Sequence, residues 1–303
     1  MKKVIETIIK IILIILLFVS IFAFGILNIL SNTVFNQEYT LKKLEETNYY
    51  ANIYTQIKSD FRNYIYQSGL DENVIEDIVT PEEVKEDTRK IIVGIYNGLH
   101  EKVDTAKIKE RLNNNINKSL EDKKIDSKTQ EAINTFVNQI ADQYQETITK
   151  TEYENQIYKN FSKMQKIVNN GKKISIVLVV IWGVLIIITY YRKIFKNLAY
   201  LGTAFLSDGI AYVFLDVYIS KKIDIENLTI LNDAITITIR EYLQSMLKNI
   251  YTYGYTLLII GLVLIIFGNT IHGLKYYSKK RKSAHWCALF FMQYECSSYI
   301  LKY

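Results

Sequence analysis

The chain has one proline, two cysteines and three histidines in 303 residues. A single proline and twelve glycines are too few to punctuate a turn-rich β fold, and the abundant Ile, Leu, Lys, Glu and Asn favour long helices. Both cysteines, Cys287 and Cys296, fall in the last 20 residues. Residues 31–172 contain none, which excludes a disulfide framework there. Two thiols and the neighbouring His285 fall short of a metal's ligand set, so free thiols are expected, with no metal and no cofactor. Motifs that carry catalysis are missing as well: no HExxH, no phosphate-binding glycine loop, no G-x-S-x-G. His100 follows a glycine turn and reads as a surface residue. Glu82, Glu83, Glu86 and Asp87 belong to a solvated helix face and to its first turn, where the helix dipole favours acids. The expectation is a protein that is not an enzyme.

Long apolar runs are what the sequence does have; 49% of its residues are hydrophobic. The first run, residues 8–30, follows Lys2 and Lys3. About 20 apolar residues cross a hydrocarbon core of about 30 Å, so it suffices as an anchor. No small-residue cleavage pattern follows, and an uncleaved anchor is expected over residues 1–30. Lys10 lies near its inner end, within snorkelling reach of headgroups. A second run covers 174–191, with Arg192, Lys193 and Lys196 beyond it, and another covers 253–274, followed by Lys275, Lys279, Lys280, Arg281 and Lys282.

Basic flanks stay preferentially in the cytoplasm. Lys2 and Lys3 then put the N-terminus inside and residues 31–172 outside, and the second run returns the chain inward. Keeping the cluster at 275–282 inside requires one more crossing, for which 197–219 is the candidate. The predicted fold is all-α: four transmembrane helices, with an extracytoplasmic helical bundle between the first and second. The spans would be the anchor and, within 173–274, helices at 174–191, 197–219 and 253–274. A basic cytoplasmic tail at 275–303 completes a cell-membrane protein with both termini inside.

The third span contains acids. Asp208 falls near the bilayer centre, beside Ser207, where a carboxylate costs about 2.5–3.5 kcal/mol on insertion scales. One reading makes it a contact for an ion, a proton or a substrate; the other makes it a carboxyl buried between helices. Gly202, Gly209 and Asp216 recur every seven residues, as do Gly254, Gly261 and Gly268 in the last span. A seven-residue step drifts only about 20° around a helix, and glycine stripes let transmembrane backbones approach closely. The third and fourth spans are therefore expected to be antiparallel neighbours, with Asp216 aimed into protein.

Charge is unevenly divided. Residues 31–172 hold 20 Lys/Arg against 23 Asp/Glu, whereas the rest holds 17 against 8. Positive excess beside apolar runs points to lipid headgroups, with nucleic acid excluded as a partner. Within 31–172, apolar residues from Leu41 and Leu44 through Tyr50, Ile53, Ile57, Phe61 and Tyr64 trace one amphipathic helix, and Gly69 stops it. Thr80, Pro81 and Glu83 form a helix start for Val84, Ile91, Ile92 and Ile95, closed by Gly98. Asp104 caps a further helix. Ser127 and Gln130 read as a second capping box ahead of Ile133, Phe136, Val137, Ile140 and Tyr144. "NNG" at 169–171 reads as a hinge before the second span.

The stretches EETNYY, QIKSDFRNYI, SGL, TPEEVKEDTRKII and IYNG, spread over residues 38–98, resemble an uncharacterised family of multi-pass membrane proteins from low-GC Gram-positive bacteria, with the general layout continuing to about residue 280. That resemblance implies a bacterial cell-membrane address and no chemistry. Residues 224–252 form another amphipathic pattern, either docked under the outer domain through Lys221, Lys222, Arg240 and Lys248 or lying on the membrane. The sequence from 284 on changes composition abruptly and suggests no mechanism. Functionally, the expectation is an outer helical domain that binds or senses a protein partner in the envelope. The alternative is a transport-associated subunit, laid out like mechanotransmission permeases, that works with a separate cytoplasmic ATPase. The long inner N-terminal helix of those permeases is missing here.

Overall fold

The computed structural model describes residues 2–120, 125–149, 151–189, 194–229 and 233–300, with side chains at all of these except 2, 3, 6, 151–159, 194, 195 and 272–300. Among the described residues the secondary structure is entirely helical. In chain order the helices are α1 (Lys2–Asn32), α2 (Gln37–Glu46), α3 (Tyr49–Ser68), α4 (Pro81–Asn97), α5 (Ala106–Ser119), α6 (Ser127–Thr149), α7 (Thr151–Thr189), α8 (Ile194–Lys222) and α9 (Asp233–Ile300), with a 3-10 turn at Glu72–Ile75. Four stretches are long and apolar enough to cross a membrane: Thr7–Asn32, Asn160–Thr189, Lys196–Lys222 and Asp233–Ile271. Many of their outward side chains are apolar, as Ile15, Val180, Phe214 and Ile266 illustrate, each more than half exposed. In water such surface would be costly; in lipid it is matched to its solvent.

The chain divides into two compact units. One comprises Leu27–Gly171 and Ser220–Leu247. Its helix ends are set by local chemistry. Thr80 Oγ1 accepts from the Glu83 backbone N–H at 3.2 Å while Glu83 Oε2 accepts from the Thr80 N–H at 3.0 Å, so α4 starts on a reciprocal capping box with Pro81 at its first position. Gly69 and Gly98 end α3 and α4 with φ of 72° and 69°, where a side chain would be strained. Ahead of α6 the cap is Asp126, whose Oδ1 accepts from Thr129 N–H at 2.7 Å, and not the Ser127 the spacing suggested. Asp104 likewise accepts from Ala106 N–H at 3.0 Å, with Thr105 at the cap position of α5.

The core of this unit joins α3, α4, α5, α6 and the 3-10 turn through Ile53, Ile57, Phe61, Val74, Val84, Leu112, Ile140 and Tyr144, all at most 2% exposed. Two sequence expectations differ from the structure. The single helix read from Leu41 to Tyr64 is broken at Thr47–Asn48, where Asn48 takes φ 52°. Leu41, Leu44 and Tyr50 then form a separate apolar cluster. The hinge expected at 169–171 is absent: α7 runs unbroken through Gly171. A Cβ there would come within 3.0 Å of Leu27 Cδ1, so this glycine serves a close approach.

The segment that opens α9 belongs to the same unit. Ala234 joins the core. The Thr47 hydroxyl donates to Lys43 O at 2.9 Å and accepts from Thr238 at 2.9 Å. Tyr39 Oη donates to Ser245 Oγ at 2.7 Å. Tyr96 Oη donates to Val34 O at 2.7 Å, which leaves the Thr40 hydroxyl as donor to Tyr96 at 2.6 Å. Hydroxyl pairs thus hold this segment. Lys221, Lys222 and Lys248 are exposed, and Arg240 Nε donates to Leu228 O at 2.7 Å.

The other unit comprises Met1–Ile26, Lys172–Ile219 and Lys248–Tyr303, that is, parts of α1, α7, α8 and α9.

Candidate functional site: a buried acid among apolar helices

Two stripes on α8 organise the second unit. The first is glycine. A Cβ on Gly202 would lie 2.8 Å from Gly261 O, and one on Gly209 would lie 2.6 Å from Leu258 N and 2.8 Å from Gly254 O. From the α9 side, a Cβ on Gly254 would meet Gly209 O at 3.2 Å and one on Gly261 would meet Gly202 O at 2.8 Å. These obstacles are backbone atoms, which no rotamer change removes. Gly202 faces Gly261 and Gly209 faces Gly254, an antiparallel register in which the backbones touch. Gly268 is also buried on α9.

The second stripe is Ala204, Asp208 and Tyr212, one turn apart and each 0% exposed. Tyr212 Oη donates to Phe22 O of α1 at 2.5 Å. Its ring lies 4.9 Å from the Phe22 ring and edge-on to Tyr253 of α9 at 5.1 Å. A Cβ on Gly25 would collide with Tyr212 Oη and with the Tyr253 ring, so a glycine in α1 makes room for both tyrosines. Asp208 lies within electrostatic range of Tyr212 and Tyr253. Both of its carboxyl oxygens are buried, and neither has a hydrogen-bond partner among the described residues.

Of the polar residues singled out in the sequence, only Asp208 is enclosed. Ser207 is exposed and Asp216 half-buried. The enclosure of Asp208 with Tyr212 and Tyr253 was not legible, because Gly25 and Phe22 belong to a distant segment; periodicity showed only that Asp208 and Tyr212 share a face. Lys196 is half-buried. Among the other basic residues used for topology, Arg192 and Lys193 lie outside the described residues. So do the side chains of Lys2, Lys3, Lys275, Lys279, Lys280, Arg281 and Lys282, and those of the stretch from 284 on.

The helical unit of 27–171 and 220–247 has titratable clusters of its own, each tied into packing. Arg111 donates to both Glu83 oxygens at 2.8 Å. That pairing, the Thr80 bonds adding to it, holds the Glu83 carboxyl below its usual range against the opposing effect of burial. Tyr144 Oη donates to Asp87 at 2.7 Å. Burial nevertheless pushes Asp87 up, and burial pushes Tyr49 up to about 12. His100 is exposed. Among the described residues, no group of three or more His, Cys, Asp or Glu is placed to hold a metal ion.

Compared with models of known protein families, with curated proteins and with solved structures, the chain matches none.

Proposed function

We propose that this chain is a four-span cell-membrane protein with both termini cytoplasmic, whose helical domain faces outward and binds or senses a protein partner in the envelope without enzymatic chemistry. The observation that carries the reading is the shared core of residues 27–171 and 220–247. Two stretches separated in sequence by α7 and α8 interlock through Ala234, Thr238, Tyr242 and Ser245. Stretches on opposite faces of a bilayer cannot share a core, so an even number of crossings between them fits, with α7 and α8 each spanning once. Basic flanks then assign the sides: Lys196 and its neighbours inside, the interlocked domain outside.

A domain with its own closed core, bracketed by helices of membrane length, is suited to display a surface. Its ionisable clusters brace helices: Glu83 with Arg111, Asp87 with Tyr144. That use of acids supports recognition over catalysis.

Photo-crosslinking from Tyr66, a 73% exposed side chain, in intact cells tests the reading. Covalent capture of one envelope protein is the expected result. Co-purification of a cytoplasmic ATPase, with no outer partner captured, would instead favour the transport-associated arrangement.

A further inference from the structure

We infer that Asp208 is a proton-binding site within the apolar helices, occupied at neutral pH, and that loss of its proton loosens the packing of α1 against α8 and α9. Start with what can reach the carboxyl. Its residue is 0% exposed, and neither oxygen has surface that a water molecule can touch. A hydrated cation, a peptide or a small solute needs far more room than that. A proton needs none.

The neighbours do not stabilise an ion. Tyr212 lies one turn along the same helix, but its hydroxyl proton is already given to Phe22 O. Among the described residues Tyr253 of α9 also faces the acid; α1 brings Phe22 and Gly25 to this place. The Lys10 ammonium of α1 lies over the Tyr200 ring at 5.7 Å, two turns from Asp208, or about 12 Å along the helix axis. Asp216 lies two turns the other way and is half-buried. Among the described residues the carboxyl has no donor and no counter-ion; an ionised carboxylate in such a medium is costly, whereas the neutral acid is tolerated. One turn away from this carboxyl, the Tyr212 bond to Phe22 ties α1 to α8, and the Gly25 gap admits Tyr212 and Tyr253. A charge appearing at Asp208 draws water, and water enters by separating these helices.

The experiment uses the full chain in vesicles of phosphatidylglycerol and phosphatidylethanolamine, with the aspartate side-chain carboxyls carbon-13 labelled. Infrared spectra at neutral pH are expected to show the carbonyl stretch of a protonated carboxyl that shifts with the label. That band should be lost in Asp208→Asn and kept in Asp216→Asn. At alkaline pH the band should disappear from the wild type while backbone amides of residues 22–26 and 205–213 exchange faster, an acceleration missing from Asp208→Asn. A wild-type spectrum without the label-sensitive band at neutral pH overturns the inference whatever the variants do. So does a band that survives Asp208→Asn in an Asp87→Asn background, which removes the other aspartate pushed up by burial. Neither result bears on the partner of the helical domain, so this inference and the proposed function can fail separately.

Discussion

At the scale of single residues, Glu83 serves two purposes. It closes the capping box of α4 and receives both Arg111 bonds. The pair is about one-third exposed, so solvent screens it and the geometry matters more than the charge. Replacing Glu83 by Ala removes the reciprocal cap together with the pair, for an expected loss of about 1 kcal/mol in thermal or urea unfolding of the full chain in detergent. The effect depends on pH in a fixed direction. Glu83 is held below its ordinary value of 4.5 in the folded state, so its contribution is complete above that value and disappears as pH falls through the lower folded one. The wild type and the Ala variant should therefore converge in acid. Asp87, pushed up by burial, works the other way: what it contributes is complete in acid and fades as pH rises through its raised value.

At the scale of elements, glycines of one composition have opposite meanings. Gly209 meets Leu258 and Gly254 backbone, whereas a Cβ on Gly183 of α7 meets nothing within 4 Å. Gly209→Leu should cost about 2 kcal/mol through forced separation of α8 and α9, and Gly183→Ala should gain up to about 1 kcal/mol of helix propensity. Melting temperatures in detergent will rank the two.

The helices were legible where local chemistry decides. Pro81, Thr80 and Glu83 announce α4, and Gly69 and Gly98 announce two stops. Three of the apolar stretches follow from hydropathy alone, and the one at 197–219 needed the basic flanks as well. The break at Thr47–Asn48 was hidden because the apolar rhythm runs across it; asparagine tolerates the positive φ there, and the contact Thr47 makes is with Thr238, far along the chain. The unbroken course of α7 is hidden in the same way: Gly171 reads locally as a breaker, whereas its role is to admit the distant Leu27. In the candidate site, the glycine spacing and the acid could be read from sequence. The cover supplied by α1 could not, since no periodicity within α8 encodes which distant helix lies on its second stripe.

At the scale of the whole chain, the count of crossings is the property most open to test. Thr47 and Thr238 hold their hydroxyl oxygens 2.9 Å apart. In a Cys287→Ser, Cys296→Ser background, Thr47→Cys with Thr238→Cys is expected to form an intramolecular disulfide on mild oxidation, seen as a mobility shift reversed by reductant. An arrangement that put α7 or α8, but not both, through the bilayer would keep the two thiols on opposite faces and leave them unjoined.

The facing glycines also constrain which motions are available. Two contacts a heptad apart act as detents: sliding α8 along α9 by a single residue would drive a side chain into a carbonyl at both. Piston-like travel within this pair is therefore blocked, and α8 and α9 translate as one body. Any displacement among the apolar helices must be borne by α1, through its tyrosine contacts, or by α7, whose apolar window is only 11% enclosed by protein.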